Sequence, residues 1–174
     1  MLSTTSLLVE HLIAGVMACI WIVLMMLCVY PVSPSMLPVL IAYKYLILIV
    51  LSVLSYPIGM IVDNIADSIL MIRSKKYKNA EDYLSVTELI YHLKDDNIKD
   101  WFTYNRFKIR IMRSCWLNAL IACVIMTVCT VVCRTDYSLP VAIGSLLLSV
   151  TSYMTWHKEV KATYKNVEKW RKMI

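Results

Sequence analysis

The sequence predicts an all-α polytopic membrane protein, with four transmembrane helices in two hairpins and a small cytoplasmic helical layer. Three observations carry that prediction. The 174 residues are 59% hydrophobic with a mean hydropathy of +0.63, whereas soluble chains are roughly 45–50% apolar. Four apolar runs (12–30, 39–62, 114–133 and 139–156) contain one formal charge between them, Lys44. Each is close to or beyond the ~20 helical residues that cross about 30 Å of hydrocarbon, where lipid forces backbone groups to bond within the helix. Finally, sixteen of the eighteen Lys and Arg residues fall in 63–113 and 157–174.

The first run, 12–30, follows a start that has no basic n-region, and no small-residue cleavage pattern follows it. It is expected to be a retained helix and not a signal peptide. No lipidation pattern occurs. Ala14, Gly15, Ala18 and Cys19 give it a small-residue face for close packing. Glu10 sits at the edge of the run, followed by His11.

The second helix restarts at Pro38, where a missing N–H costs nothing. Lys44 lies about two turns in, which calls for a functional hypothesis such as pairing with Asp136 or lining a pore. Snorkelling to the interface between Tyr43 and Tyr45 explains it as well. Beyond Pro57 and Gly59, which permit a kink, Val62, Ile65, Ala66, Ile69 and Ile72 keep helical spacing down to Arg73. An amphipathic piece with Tyr83, Val86, Leu89, Ile90 and Leu93 is expected next, with Ser85 and Glu88 as a capping box.

Asp95, Asp96 and Asn97 predict the start of a helix that runs through Trp101 and Arg106 into the third span. There Asn118 should hydrogen-bond across helices. The fourth span restarts at Pro140. Its Leu-Pro-Val-x-Ile-small sequence (139–144) matches 37–42, but the flanks do not extend the match, so a shared proline-led start explains it. Ser145, Ser149 and Ser152 form a stripe on this helix, read as a packing face or the wet wall of a pore. The helix should continue beyond Trp156 as a tail, with Val160, Tyr164, Val167, Trp170 and Ile174 opposite Lys158, Lys161, Lys165, Lys169 and Lys172. The chain thus divides into a first hairpin (1–62), a cytoplasmic helical loop (63–113), a second hairpin (114–156) and a basic tail (157–174).

Charge predicts orientation. The loop 63–113 holds ten Lys/Arg and the tail six, against Arg134 alone in the opposite connections. By the positive-inside rule the loop and both termini are cytoplasmic, as in a bacterial plasma membrane. That basic side should attract anionic headgroups.

Asp63 and Asp67, four apart, share one helix face, and Arg106, Arg110 and Arg113 share another. Counting outward from the membrane sets Asp63 level with Arg113 and Asp67 near Arg110. The pattern reads as a charged collar able to gate or bind an anion, or as a structural ion-pair ladder.

The six cysteines lie in or beside spans without C-x-x-C or zinc spacing, and so read as packing residues. Cys28 and Cys133, both near the outer face, are the pair open to oxidation. His11, His92 and His157 are expected at surfaces or interfaces. Only three glycines occur, too few for a phosphate-cradling loop, and no nucleophile pairs with a membrane histidine. No catalytic residue, metal or cofactor is expected, and nucleic acid is not an expected partner. The expectation is a non-catalytic membrane subunit that self-associates and couples the bilayer to a cytoplasmic protein, as a sensor, anchor or effector of a bacterial defence or stress system. The alternatives are an oligomeric channel or membrane-permeabilising effector, and a small transporter or membrane enzyme.

Overall fold

The computed structural model describes residues 2–30, 37–74, 95–133 and 137–171, and every regular element among them is helical. Helix α1 spans Leu2–Val29, α2 Leu37–Ala42, α3 Lys44–Ser74, α4 Asp96–Val132 and α5 Ser138–Arg171. Four of them (α1, α3, α4 and α5) are long and apolar enough to cross a membrane, which makes this an integral membrane protein. The expected piece at 83–93, its capping box, His92, Asp136 and Ile174 lie outside the described residues.

The second span is interrupted at Tyr43, where sequence alone suggests one unbroken helix. Hydrogen bonds from Tyr43 N to Val39 O and from Ile47 N to Tyr43 O, both 3.0 Å, nevertheless carry α2 into α3. Asp95 caps α4, its side chain accepting from Asn97 N at 2.9 Å. The 37 residues of α4 extend about 56 Å at 1.5 Å per residue, nearly twice the ~30 Å of hydrocarbon. Its first half therefore leaves the apolar bundle, and α5 leaves beside it.

The chain pairs as two hairpins, α1 with α3 and α4 with α5, joined chiefly where α1 meets α4. The α4–α5 seam repeats at intervals of four and three. Ala142, Ser149, Ser152, Trp156, Val160 and Val167 are all buried on α5, the spacing of knobs-into-holes packing between near-antiparallel helices. The seam continues into the charged part of the chain. Leu70, Trp156 and Val160 form a cluster there with Ile109, Met112, Trp116, Tyr153 and Tyr164. The helical layer expected from sequence is, in its described part, made of the extensions of the bundle helices that the spacing predicts.

The α1–α3 hairpin is built differently. A Cβ on Gly15 would collide with the backbone carbonyl of Ser55, and one on Gly59 with that of His11. The two backbones touch at this crossing, next to Ala14 and Ala18, which are buried. Past the crossing the helices part. Cys28 on α1 packs with Met126, Cys129 and Ala142 of the second hairpin, while Tyr43 and residues 44–50 of α3 are exposed on every side. Acyl chains solvate such a surface without penalty, so membrane burial permits what water would not.

Gly59→Val should force the helices apart and destabilise the bundle by about 1–3 kcal/mol or more, because the obstacle is backbone and cannot rotate away. A Cβ at Gly144 meets nothing within 4 Å, so Gly144→Ala should be neutral or slightly stabilising. Unfolding of the two variants in bicelles measures the contrast.

Candidate functional site

Where the apolar bundle ends at the α1 N-terminal side, charged residues from three helices converge. Asp63 of α3 is the centre. Its Oδ1 accepts from Arg113 Nη2 at 2.8 Å, Arg113 Nε at 3.3 Å and Ser114 Oγ at 2.8 Å. Its Oδ2 lies 3.9 Å from His11 Nε2. Arg113 turns its remaining fork nitrogen, Nη1, to Asp67, one helical turn along α3. Spacing i,i+4 places both acids on one side of α3 and lets a single guanidinium bridge them. Beside this cluster, Arg110 Nη1 donates to Glu10 Oε2 at 3.1 Å. α1 is thereby tied to α4.

Burial grades these contacts. The side chains of Arg113 and Asp63 are 12% and 13% exposed, but that of Asp67 is 58% exposed. The Glu10 side chain is 7% exposed. His11 is also buried and sits edge-on to Tyr56, with ring centroids 5.7 Å apart. About one turn deeper, Asn118 donates from Nδ2 to the Ala14 carbonyl at 2.9 Å and accepts from Trp21 Nε1 at 3.1 Å. Further out, Lys108 donates to Glu159 at 2.7 Å and ties α4 to α5. Three donors converge on Oδ1 of Asp63, and His11 stands near Oδ2. Chemically, the arrangement is a lock between helices.

Several placements differ from the expectations. Asp67 meets Arg113 and not Arg110, because the arginine level with Asp63 has fork nitrogens to spare for a second acid. Arg110 goes to Glu10, and Arg106 lies exposed two turns beyond Arg113. Glu10 and His11 are buried members of the layer. The one sequence signal for Glu10 was stoichiometric: three arginines faced two aspartates, leaving room for a third acid.

Other candidates fall elsewhere. Ser149 and Ser152 are buried in the α4–α5 seam, and Ser149 Oγ lies 3.5 Å from the Trp116 carbonyl. Ser145 is half-buried on the same face, so the stripe packs against α4. Lys44 is exposed at the opposite end, its Nζ 5.0 Å from the Tyr45 ring centroid. Val160 and Val167 are buried, and Tyr164 and Trp170 half-buried, so the tail stripe is largely covered by its own chain. Val160 and Tyr164 pack with Ile109 and Met112 of α4 and Leu70 of α3. All six cysteines are free thiols. Among the described residues no group of three or more His, Cys, Asp and Glu is arranged to hold a metal ion.

Comparison with protein-family models, with curated proteins and with solved structures finds no match to this chain. The class is therefore set by the fold alone, a four-helix integral membrane protein with an ionic layer at one end.

Arg113→Met should cost about 3–5 kcal/mol, since it strands a buried carboxylate. Asp67→Asn removes only an exposed partner and should cost no more than about 1 kcal/mol. Unfolding of each variant in the same bicelles gives the comparison, and equal costs would show that Arg113 is not holding Asp63.

Proposed function

We propose that the protein is a non-catalytic membrane subunit that carries a rigid two-helix arm from the bilayer to a cytoplasmic protein partner. The supporting observation is continuity. α4 and α5 pass from the apolar bundle into the charged region without a break, and their buried seam goes with them through Val160 to Val167. A displacement at either end of such a pair is transmitted to the other, because close-packed helices move as one body.

The arm's outer surface supports the choice of partner. Lys158, Lys161, Lys165 and Lys169 are all exposed, on the face of α5 away from Val160 and Val167. Because α5 runs straight through Trp156, Lys165 and Lys169 stand about 14–20 Å past that tryptophan along the helix. That exceeds the Debye length of about 8 Å at physiological ionic strength. An acidic protein surface fits them better than headgroups do, although Lys158 and Lys161 are near enough to attract anionic lipid.

Orientation with the arm and both termini in the cytoplasm follows from the charge bias and fits a bacterial plasma membrane. Self-association is part of the same reading, and the bare stretch at 44–50 of α3 is where further copies have room to pack. With Ser149 and Ser152 facing α4, the serine stripe offers a pore no wall within one chain.

A photo-crosslinking side chain at Lys165, in native cells, should give a discrete adduct with a cytoplasmic protein. That adduct should be lost when Lys161, Lys165 and Lys169 are reversed to Glu around a crosslinker moved to Asn166. A cysteine at Lys165 should resist impermeant thiol reagents until the membrane is opened. Adducts with lipid alone, or labelling of Lys165 from outside intact cells, would contradict the proposal.

A further inference from the structure

At the end of the bundle remote from the ionic layer, three cysteines approach one another. Cys28 of α1 and Cys129 of α4 are both buried in one cluster, and Cys133 follows Cys129 four residues along the end of α4. Cys133 is exposed at the end of α4, and its N–H donates to the Cys129 carbonyl at 2.9 Å. The pair is one helical turn apart, so the two side chains share a face. The Tyr137 hydroxyl lies 3.6 Å from Cys28 Sγ and donates to it.

We infer that Cys28, Cys129 and Cys133 form a disulfide-exchange site in which exposed Cys133 admits a disulfide oxidant and Cys28–Cys129 is the bond that persists.

The chemistry balances as three thiol–disulfide exchanges. Cys133 thiolate attacks an external disulfide R–S–S–R, whose S–S bond breaks to release one RS⁻ and leave RS on Cys133 as a mixed disulfide. Cys129 then attacks the Cys133 sulfur, forming Cys129–Cys133 and expelling the second RS⁻. Cys28 attacks the Cys129 sulfur, forming Cys28–Cys129 and returning Cys133 as thiolate. In total, two protein thiols are oxidised and one external disulfide is reduced, with the two thiol protons ending on two RSH. A bond between residues four apart in a helix is a strained resting place, whereas the cross-helix bond joins side chains already packed together. That difference selects the product. Cys28 and Cys133 are the pair open to oxidation by depth in the membrane, but the partner of Cys28 is Cys129, because Cys28 and Cys129 pack in one buried cluster whereas Cys133 is exposed. The bond would fasten α1 to α4 at the end where no ion pair joins them among the described residues.

This site works whichever side of the membrane that end faces, so its test is independent of the orientation proposed above. The full chain, purified in nanodiscs, is incubated with oxidised glutathione, and its intact mass and proteolytic peptides are measured. The expected result is loss of two hydrogens and a linked peptide pair carrying Cys28 and Cys129. Cys133→Ser should slow the reaction at least tenfold yet end at the same link. Cys28→Ser should leave glutathione on Cys133 or a Cys129–Cys133 bond. Glutathione stably held on Cys133 of the unmutated chain, or a Cys28–Cys133 link with Cys129 free, would overturn the inference. So would Cys133→Ser oxidising at the full rate.

Discussion

Moving a carboxylate and a guanidinium to the edge of an apolar bundle costs several kcal/mol per ion, and that cost is offset only when each finds its partners. Asp63 and Arg113 do so at 2.8 Å with little water around them. The geometry of the first hairpin against the second follows from this. With Arg113 bound to α3, Arg110 is turned toward α1, where Glu10 waits. With α1 held at that depth, Gly15 falls opposite Ser55 and Gly59 opposite His11, the register in which the backbones can touch. Asn118 then lies within reach of the Ala14 carbonyl. A shift of one turn at the charged layer would break all of these together.

The opposite end has no comparable constraint among the described residues, and its shape shows it. α3 leaves its neighbours above Ser55, and α1 leans onto α4 and α5 through Cys28. Apart from the long Tyr137–Cys28 hydrogen bond, what joins α1 to α4 and α5 there is mainly dispersion, individually weak and easily exchanged for lipid. One end of the molecule is therefore held by buried ion pairs and the other mainly by packing, a distribution that suits an arm anchored firmly where it enters the charged region. Lys108 with Glu159 extends the same holding to α5.

Much of this was legible in the chain wherever the signal was local. Length and hydropathy predicted the four spans. Helical spacing carried the second of them to Arg73, and α3 ends at Ser74. Asp95 read as a cap because an acceptor there meets a free N–H whatever surrounds it. The aspartate and arginine faces and the cross-helix role of Asn118 could be read for the same reason, since i,i+3 and i,i+4 spacing is a property of one helix. What could not be read was which face meets which. Glu10 and Arg110 are 100 residues apart, and nothing in local periodicity joins them. The tail's stripe was plain in the sequence. That its partner would be the start of α4 was not, because an apolar stripe fits its own chain and a second one equally well. The splay of α3 was hidden too, since lipid-facing and protein-facing residues are alike in hydropathy.

The central claim is that Asp63 and Arg113 hold the two hairpins in register. A double-mutant cycle with Asp63→Ala, Arg113→Ala and the pair, with unfolding measured in a bilayer-like medium, isolates their coupling. The account predicts about 1.5–3 kcal/mol, with the double variant less destabilised than the sum of the single ones. Additive effects, within about 0.5 kcal/mol, would show that the two charges sit side by side without holding anything.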